Sequence, residues 1–299
     1  MRKIFIAGVG AVSPAGWNVG SLREALGKNQ ALPIDALERP GWTEPLRVRR
    51  APAPPKNLVA HSRLRRTSPI STFAVAAAIE ALGENFEDVK NGRWRLGIIC
   101  CVTAGCVQFT RRFYAETWRD PMTASPLIFP ETVFNAPSSH LAAVLQVPAI
   151  NYTLVGEPPT FLQALALGAG WLCGGRADAC LVIGAEELDW LTADAVRLFE
   201  AKTICTEGAG AVLLSTNRTA KTLAELRSVT EPGEKTGNRS PQDFDSPAKT
   251  ILGEGLMAGA AWQCVAAISK ITENTSAFTT VNLLDSSAQK IEACFAKVN

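Results

Sequence analysis

Histidine and tyrosine are almost missing from this sequence, which has two of each among 299 residues. Any site that needs an imidazole therefore depends on His61 or His140. Charge is scarce as well, since 19% of the residues are charged and the net charge is +2. So small an imbalance argues against nucleic-acid binding, because a protein that neutralises phosphates carries an excess of Lys and Arg.

Long apolar segments are also missing. No run of about 18 uncharged apolar residues occurs, so no transmembrane helix and no membrane partner are expected. Residues 1–10 place two charges before a short apolar run, as a signal peptide does. The run reaches glycines at once and continues as AVSPAG, which favours a buried first strand and its turn.

The eight cysteines form no CxxC pair and no Cys/His spacing typical of a metal site. Most of them stand inside apolar runs, which favours buried free thiols in a reducing cytoplasm. Cys106 and Cys205 are interpreted in this way, as core thiols. We therefore expect a cytoplasmic protein with no metal and no cofactor.

Apolar residues are abundant, at 47% of the chain, and their pattern predicts an α/β layered fold. Strands are predicted at residues 3–9, 96–103, 179–184, 208–214 and 279–284, and helices at 18–28, 69–82, 132–145, 161–173 and 256–270. The helix at 161–173 is apolar on all sides, which predicts deep burial. Residues 31–57 are predicted to be a long surface loop, and residues 216–248 a linker or shortened segment.

The first strand ends in a glycine pattern, Gly8-x-Gly10-x-x-Ser13, that invites comparison with a dinucleotide-binding fingerprint. The third glycine is missing, Pro14 stands where the helix should open, and no acidic residue follows about twenty positions later. A tight turn after the strand is the better interpretation.

Five motifs, in order along nearly the whole chain, resemble the β-ketoacyl synthase family. The sequence IAGVGAVSPAGWN is similar to the family's first strand and turn, and STFAVAAAIEAL to its early alanine-rich helix. SPLIFPETVFNAPSSHLA resembles the loop and helix before the nucleophile strand. GGRADACLVIGAEE and EGAGAVLL resemble two later family motifs almost residue for residue. The resemblance implies a thiolase-like layered α/β/α/β/α fold, with an N-terminal half at 1–215 and a shortened C-terminal half at 216–299.

The family's catalytic cysteine has no counterpart here. In the family it stands at a helix start, where the helix N-terminus lowers the thiol pKa. The matching position is Pro158, within VGEPPT, and an insertion would move the match to Glu157 or Gly156. Proline is tolerated in the first turn of a helix, so the helix start is expected to persist without its nucleophile.

The family's histidines are missing too. The motif K-[ST]-x-x-G-H corresponds to Lys249-Thr250-Ile251-Leu252-Gly253-Glu254, with glutamate replacing the imidazole that would stabilise an enolate. The second family histidine has no counterpart. The glycine-rich gating loop corresponds to residues 282–288, NLLDSSA, whose lack of glycine argues against a hinged gate. The resemblance therefore implies degenerate catalytic positions, with Lys249 in a structural role.

Within the family, this pattern resembles the chain-length-factor subunits of type II polyketide systems, including polyene-type ones, which lack the nucleophile and pair with an active ketosynthase. The resemblance implies a heterodimer supplied by an acyl carrier protein. It implies an acyl-tunnel wall or subunit interface at Leu127, Ile128, Phe129, Phe134, Ile150, Tyr152 and Leu154, with Ile128 and Phe134 favoured as the wall; the same apolar residues suit an ordinary core.

An arginine-rich region is the candidate for carrier-protein docking. It comprises Arg47, Arg49, Arg63, Arg65 and Arg66, and a solvated loop is the alternative interpretation. Two other functions stay open. One is a diverged decarboxylase or hydrolase that uses Glu157, Glu254 and Lys249, and the other is a self-associating scaffold.

Overall fold

A computed structural model describes residues 2–56, 61–233 and 247–298, and among these residues eleven strands form two sheets. The large sheet contains β1 (Ile4–Val12), β4 (Leu96–Val102), β5 (Ala149–Val155), β6 (Ala179–Glu186), β8 (Gly208–Ser215), β9 (Ala224–Val229), β10 (Phe278–Leu284) and β11 (Lys290–Ala296). Its order is β10-β11-β9-β1-β8-β6-β4-β5. The small sheet joins β2 (Asp35–Leu37), β3 (Leu46–Arg49) and β7 (Cys205–Thr206).

Helices cover both faces of the large sheet. They are α1 (Val19–Lys28), α2 (Pro69–Leu82), α3 (Phe86–Lys90), α4 (Val107–Arg119), α5 (Ala136–Leu145), α6 (Thr160–Cys173), α7 (Trp190–Phe199), α8 (Pro247–Leu252) and α9 (Leu256–Thr272). One apolar cluster lies between the sheet and α2 with α5, and a second between the sheet and α6 with α9. The predicted strand-and-helix alternation thus gives a layered α/β fold.

The central strands are buried along their whole length. All seven residues of β4 are buried, and β4 runs parallel to both β5 and β6. A strand covered on both faces has no solvent side, which explains why LGIICCV is an unbroken apolar run. The remaining pairings in the large sheet are antiparallel. The predicted central strands are confirmed.

Gly8 and Gly10 lie inside β1, not in a turn after it. A Cβ atom at either position would stand 1.9 Å from a backbone oxygen of α2, Ala81 O or Ala77 O respectively. The two glycines therefore let α2 approach the sheet closely. The interpretation as a turn was wrong, and close helix–strand packing explains the pattern instead.

Four further predictions need correction. Residues 31–57 include β2 and β3 of the small sheet, so they are not only a loop. Residues 216–248 include β9, which pairs with β1 and β11, while 234–246 lie outside the described residues. The helix at 132–145 begins only at Ala136. α6 is not buried on all sides, because Gln163, Ala166, Gly170 and Cys173 form an exposed stripe along it.

No helix among the described residues is long and apolar enough to cross a membrane.

Candidate functional site: a cleft lined by Pro158, Lys249 and Glu254

The structure brings three of the degenerate positions together. Pro158, Lys249 and Glu254 line one cleft of about 170 Å³. Trp262 of α9 forms part of its wall, and its indole N–H donates to Val12 O at 3.0 Å and Ala209 O at 2.9 Å. The cleft is thus anchored to the two central strands β1 and β8.

The turn before α6 carries no nucleophile. Pro158 and Pro159 form a turn in which Thr160 N donates to Glu157 O at 2.9 Å and Phe161 N to Pro158 O at 3.1 Å. α6 begins at Thr160, directly after the second proline. Because proline offers neither a thiol nor a backbone N–H, residue 158 has no group able to accept an acyl chain.

Lys249 is held by two carboxylates. Its Nζ lies 3.0 Å from Glu200 Oε2 and 3.2 Å from Glu254 Oε2. Glu254 Oε1 also accepts from Leu256 N at 2.8 Å, and Glu200 Oε2 accepts from the Thr203 hydroxyl at 2.6 Å. These bonds fix both carboxylates, so Glu200, Lys249 and Glu254 form an ion-pair cluster at the cleft, which we call the Lys249 triad.

The ammonium and the carboxylates of the Lys249 triad stabilise one another's charged forms. Burial lowers the pKa of Lys249, but Glu254 and Glu200 more than offset that effect, and the net pKa is raised above the ordinary lysine value. The Thr203 hydroxyl, and then Lys249, hold the pKa of Glu200 below its usual value. Lys249 therefore stays an ammonium at neutral pH and cannot act as a general base.

The carboxylate of Glu157, the residue before Pro158, is hydrogen-bonded outside the cleft. It accepts from the Ser286 hydroxyl at 2.6 Å and from Ser286 N at 2.5 Å. This contact links the turn before α6 to the turn between β10 and β11. Glu157 does not line the cleft, so the structure does not join Glu157 and Glu254 into one acid/base pair.

The segment predicted to correspond to the family's gating loop is a tight β-hairpin. Residues 282–284 belong to β10, and Asp285 Oδ1 accepts from Ser287 N at 2.9 Å and Gln289 N at 2.8 Å. Ala288 takes the left-handed conformation with φ 60° that closes the turn. A hairpin with both strands paired holds Asn282 and Leu283 against the cleft.

Neither histidine contributes to the cleft. His140 Nε2 lies 2.8 Å from Glu131 Oε1 on the far side of β4, and His61 caps the short turn Ser62–Leu64.

Cys106 and Cys205 are buried, and burial raises the pKa of the Cys205 thiol to about 12. Cys173 is exposed, contrary to the general expectation of buried thiols. Among the described residues, no cluster of three or more His, Cys, Asp or Glu suits a metal ion.

The predicted tunnel residues separate into exposed and buried ones. Leu127, Phe129 and Phe134 are 74%, 55% and 46% exposed, whereas Ile128 is only 5% exposed. Ile128 therefore packs inside its own chain, and its selection as part of a partner-facing wall was wrong. Phe134 packs over Gly105, immediately beyond β4.

Strand β5 forms one open edge of the large sheet, since it pairs with β4 alone. Tyr152 and Val155 are 44% and 53% exposed, while Ile150 and Leu154 pack against the core. Tyr152 also contacts Trp171 of α6 edge-on, with ring centroids 4.9 Å apart. An exposed apolar edge strand is a site for pairing with another chain.

The arginines predicted to dock a carrier protein are not equivalent. Arg47, Arg63, Arg65 and Arg66 are exposed. Arg49 is 4% exposed and donates to Leu32 O at 2.9 Å and Thr250 O at 3.4 Å. Its guanidinium joins β3 to Thr250 of α8, so its assignment to a docking surface was wrong.

A second cluster of carboxylates is buried where β6 ends. Glu187 accepts from Ile70 N at 3.2 Å and Gln108 N at 2.7 Å, near the starts of α2 and α4. Glu186 accepts from Ala104 N at 3.2 Å and also from Thr103 N. Burial, followed by the charge of Glu187 on Glu186, raises the pKa of Glu186 to about 8, and burial raises that of Glu187 to about 7.

This cluster predicts that the folded protein loses stability as pH rises from 5 to 8. Both pKa values are higher in the folded chain, so the folded state binds more protons in that range and unfolding becomes easier as they leave. We expect the free energy of unfolding to fall by several kcal/mol, on the order of 5 kcal/mol. Urea titrations at the two pH values measure it. Glu186→Gln should flatten the dependence, and an unchanged slope in that variant would contradict the assignment.

No protein-family model matches the chain. One curated relative, 3-oxoacyl-[acyl-carrier-protein] synthase 2 of Coxiella burnetii, is 23% identical over 189 residues. The match covers 62% of this chain and 46% of the relative. The chain thus matches about half the length of that relative.

Solved structures match over nearly the whole chain. A β-ketoacyl synthase from Burkholderia phymatum STM815 superposes with a TM-score of 0.79 at 16% identity, covering 100% of both chains. The ketosynthase ApeO in complex with its chain length factor ApeC, from Xenorhabdus doucetiae, gives 0.76 at 14% identity, over 99% of this chain and 98% of that one. AntDE:AntF, an acyl-carrier protein in complex with its ketosynthase, gives 0.78 at 14% identity over 100% of both. The chain has the thiolase-like fold of the ketosynthases, as predicted.

Proposed function

We propose that this chain is a non-catalytic, chain-length-factor-like subunit that pairs with an active ketosynthase in type II polyketide biosynthesis of the polyene kind. The observation that carries the proposal is the cleft itself. The position of the nucleophile is Pro158, and the position of the histidine is Glu254, which is ion-paired with Lys249 at 3.2 Å.

Both changes oppose condensation chemistry. A condensing site needs a thiolate to carry the acyl group and neutral donors to stabilise an enolate oxygen. Here a carboxylate replaces one donor, and its negative charge would repel the developing oxyanion. The Lys249 triad also lines the cleft with groups that are already paired with one another.

Pairing is supported by the exposed apolar surface. Tyr152 and Val155 on the open edge of β5, together with Leu127, Phe129 and Phe134, are all exposed in the isolated chain. Exposed apolar side chains that together form a patch mark interaction sites in soluble proteins. The complexes named among the similar structures, of a ketosynthase with a chain length factor and with an acyl-carrier protein, supply the partner classes.

The alternative, a decarboxylase or hydrolase that uses Glu157, Glu254 and Lys249, finds less support. Glu157 is bound to Ser286 and does not line the cleft. Lys249 is held as a cation between two carboxylates. None of the three is free to take a proton from a substrate.

Reconstitution tests the proposal. An intact ketosynthase that pairs with this chain should form polyketide only when both subunits and a loaded carrier protein are present. This chain alone should form none, because it lacks a nucleophile. Product analysis by mass spectrometry compares the ketosynthase alone, this chain alone and the pair. Product from this chain alone, or equal product from the ketosynthase without it, would overturn the proposal.

A further inference from the structure

A short 3₁₀ turn, Phe129–Glu131, lies between α4 and α5 among the exposed apolar residues that precede α5. Phe129 and Phe134 are exposed, whereas Glu131 is only 9% exposed. A glutamate is rarely buried to this extent unless its carboxylate is paired. The burial of Glu131 among exposed apolar neighbours therefore calls for a partner within the chain.

That partner is His140 of α5. His140 Nε2 lies 2.8 Å from Glu131 Oε1, and the two side chains are 16% and 11% exposed. The other carboxylate oxygen, Glu131 Oε2, is buried and has no hydrogen-bond partner among the described residues. Loss of one partner from a buried pair is costly, because the remaining charged or polar group stays desolvated. The buried position of Glu131 therefore depends on His140.

The two helices beside the turn hold it unequally. α4 has no buried residue, and its Phe113 ring meets that of Phe129 with centroids 5.5 Å apart. α5 is set into the core by the buried side chains of Leu141 and Leu145. A contact with α5 thus ties the turn to the core, whereas a contact with α4 ties it only to a surface helix. Buried Ile128 fixes the start of the turn, and the contact with α5 fixes its end.

We propose that Glu131 and His140 are positioning residues, whose pair fixes the end of the turn and so places Phe129 and Phe134 against the partner ketosynthase and its acyl chain. The part played by the two rings rests on the proposed function, but the hold on the turn does not. Without His140 the carboxylate would be buried and unpaired, so it would move towards water together with the backbone that carries the rings. The apolar wall would then shift although none of its own residues had changed.

Hydrogen exchange on the isolated chain tests the hold on the turn. The amides of Glu131 and Thr132 close the turn with hydrogen bonds of 2.9 and 3.0 Å. In His140→Leu both amides should exchange at least about tenfold faster. In His140→Gln they should stay within about twofold of the unmodified chain, because a glutamine amide replaces the Nε2 donor. His61→Leu makes the same change at the other histidine, outside this contact, and should leave both amides unchanged.

Reconstitution with the ketosynthase tests the consequence for the wall. His140→Leu should shift the product lengths of complexes that co-elute normally, and His140→Gln should restore the unmodified distribution. A role in stability alone would lower the Tm of His140→Leu and leave the product lengths as they were. Mass spectrometry of the products and thermal unfolding of each complex separate the two roles.

If His140→Leu fails to fold, His140→Asn takes its place, since its shorter amide does not reach Glu131, and a smaller effect is expected. Unchanged exchange in the turn overturns the proposal. Unchanged product lengths from a complex in which the turn exchanges faster also overturn it. If no ketosynthase pairs with the chain, the proposed function fails. Faster exchange in His140→Leu that is absent from His61→Leu then still supports the hold on the turn.

Discussion

Assembly with the ketosynthase is expected to fail when Tyr152 and Val155 are both replaced by lysine. The two side chains are exposed on the open edge of β5, and β5 has no partner strand on that side. Lysine on an edge strand opposes strand pairing, because the ammonium must be desolvated in the new interface. We expect the dissociation constant to rise at least about a hundredfold, measured by co-purification and size-exclusion chromatography.

The opposite edge of the same sheet supplies the control. Phe278 on β10 is 61% exposed, and β10 pairs only with β11. Phe278→Lys places a lysine on the other edge strand of the same sheet and should leave assembly unchanged. If the β5 variant assembles normally, or if Phe278→Lys disrupts assembly equally, β5 is not the pairing edge.

Product length is expected to change when the exposed apolar residues before α5 change size. Leu127→Trp should shorten the main product of the pair, and Phe134→Ala should lengthen it. Added bulk at a wall in contact with the partner's acyl chain stops growth earlier, since packed surfaces resist extra volume. Phe134 covers Gly105, so its removal opens space without breaking a hydrogen bond. Mass spectrometry of the products measures both shifts.

Met122→Ala is the matched control for the length experiment. Met122 is apolar and 95% exposed in the stretch between α4 and α5, and it is not among the predicted wall residues. Ile128→Trp is not a useful variant, because Ile128 is buried and the larger ring would destabilise its own chain. An unchanged product distribution from both wall variants, in complexes that assemble normally, would place the tunnel end elsewhere.

The sequence predicts the central strands well, because a strand buried on both faces needs apolar residues at nearly every position. β4 and β6 are buried on both faces; β4 is a continuous apolar run, and β6 is one up to Glu186 at its end. Short or peripheral elements carry no such pattern. β3 is four residues long and is defined by its pairing with β2 and β7, which lies more than 150 residues later. α4 was not predicted. It has no buried residue, and its apolar residues are interspersed with arginines.

In the candidate site, too, the residues that stand in sequence motifs could be predicted, and those defined by distant contacts could not. Pro158, Lys249 and Glu254 could be assigned from motifs, and the structure brings all three to one cleft. Glu200 was missed because its contact with Lys249 spans 49 residues of chain and no motif contains it. The bond from Ser286 to Glu157 was missed for a similar reason, since it spans 129 residues. Long-range partners of this kind are set by tertiary packing, which local sequence does not encode.

Intact-mass analysis of the reconstituted pair tests the central claim, that this chain carries no acyl group. The complex is incubated with acyl-loaded carrier protein and stopped before chain extension, and the mass of each subunit is determined. We expect the acyl adduct on the ketosynthase alone, with this chain at its unmodified mass, because the proposal places Pro158 at the position of the nucleophile and Lys249 is held between two carboxylates in the same cleft. A stoichiometric acyl adduct on this chain would contradict the account.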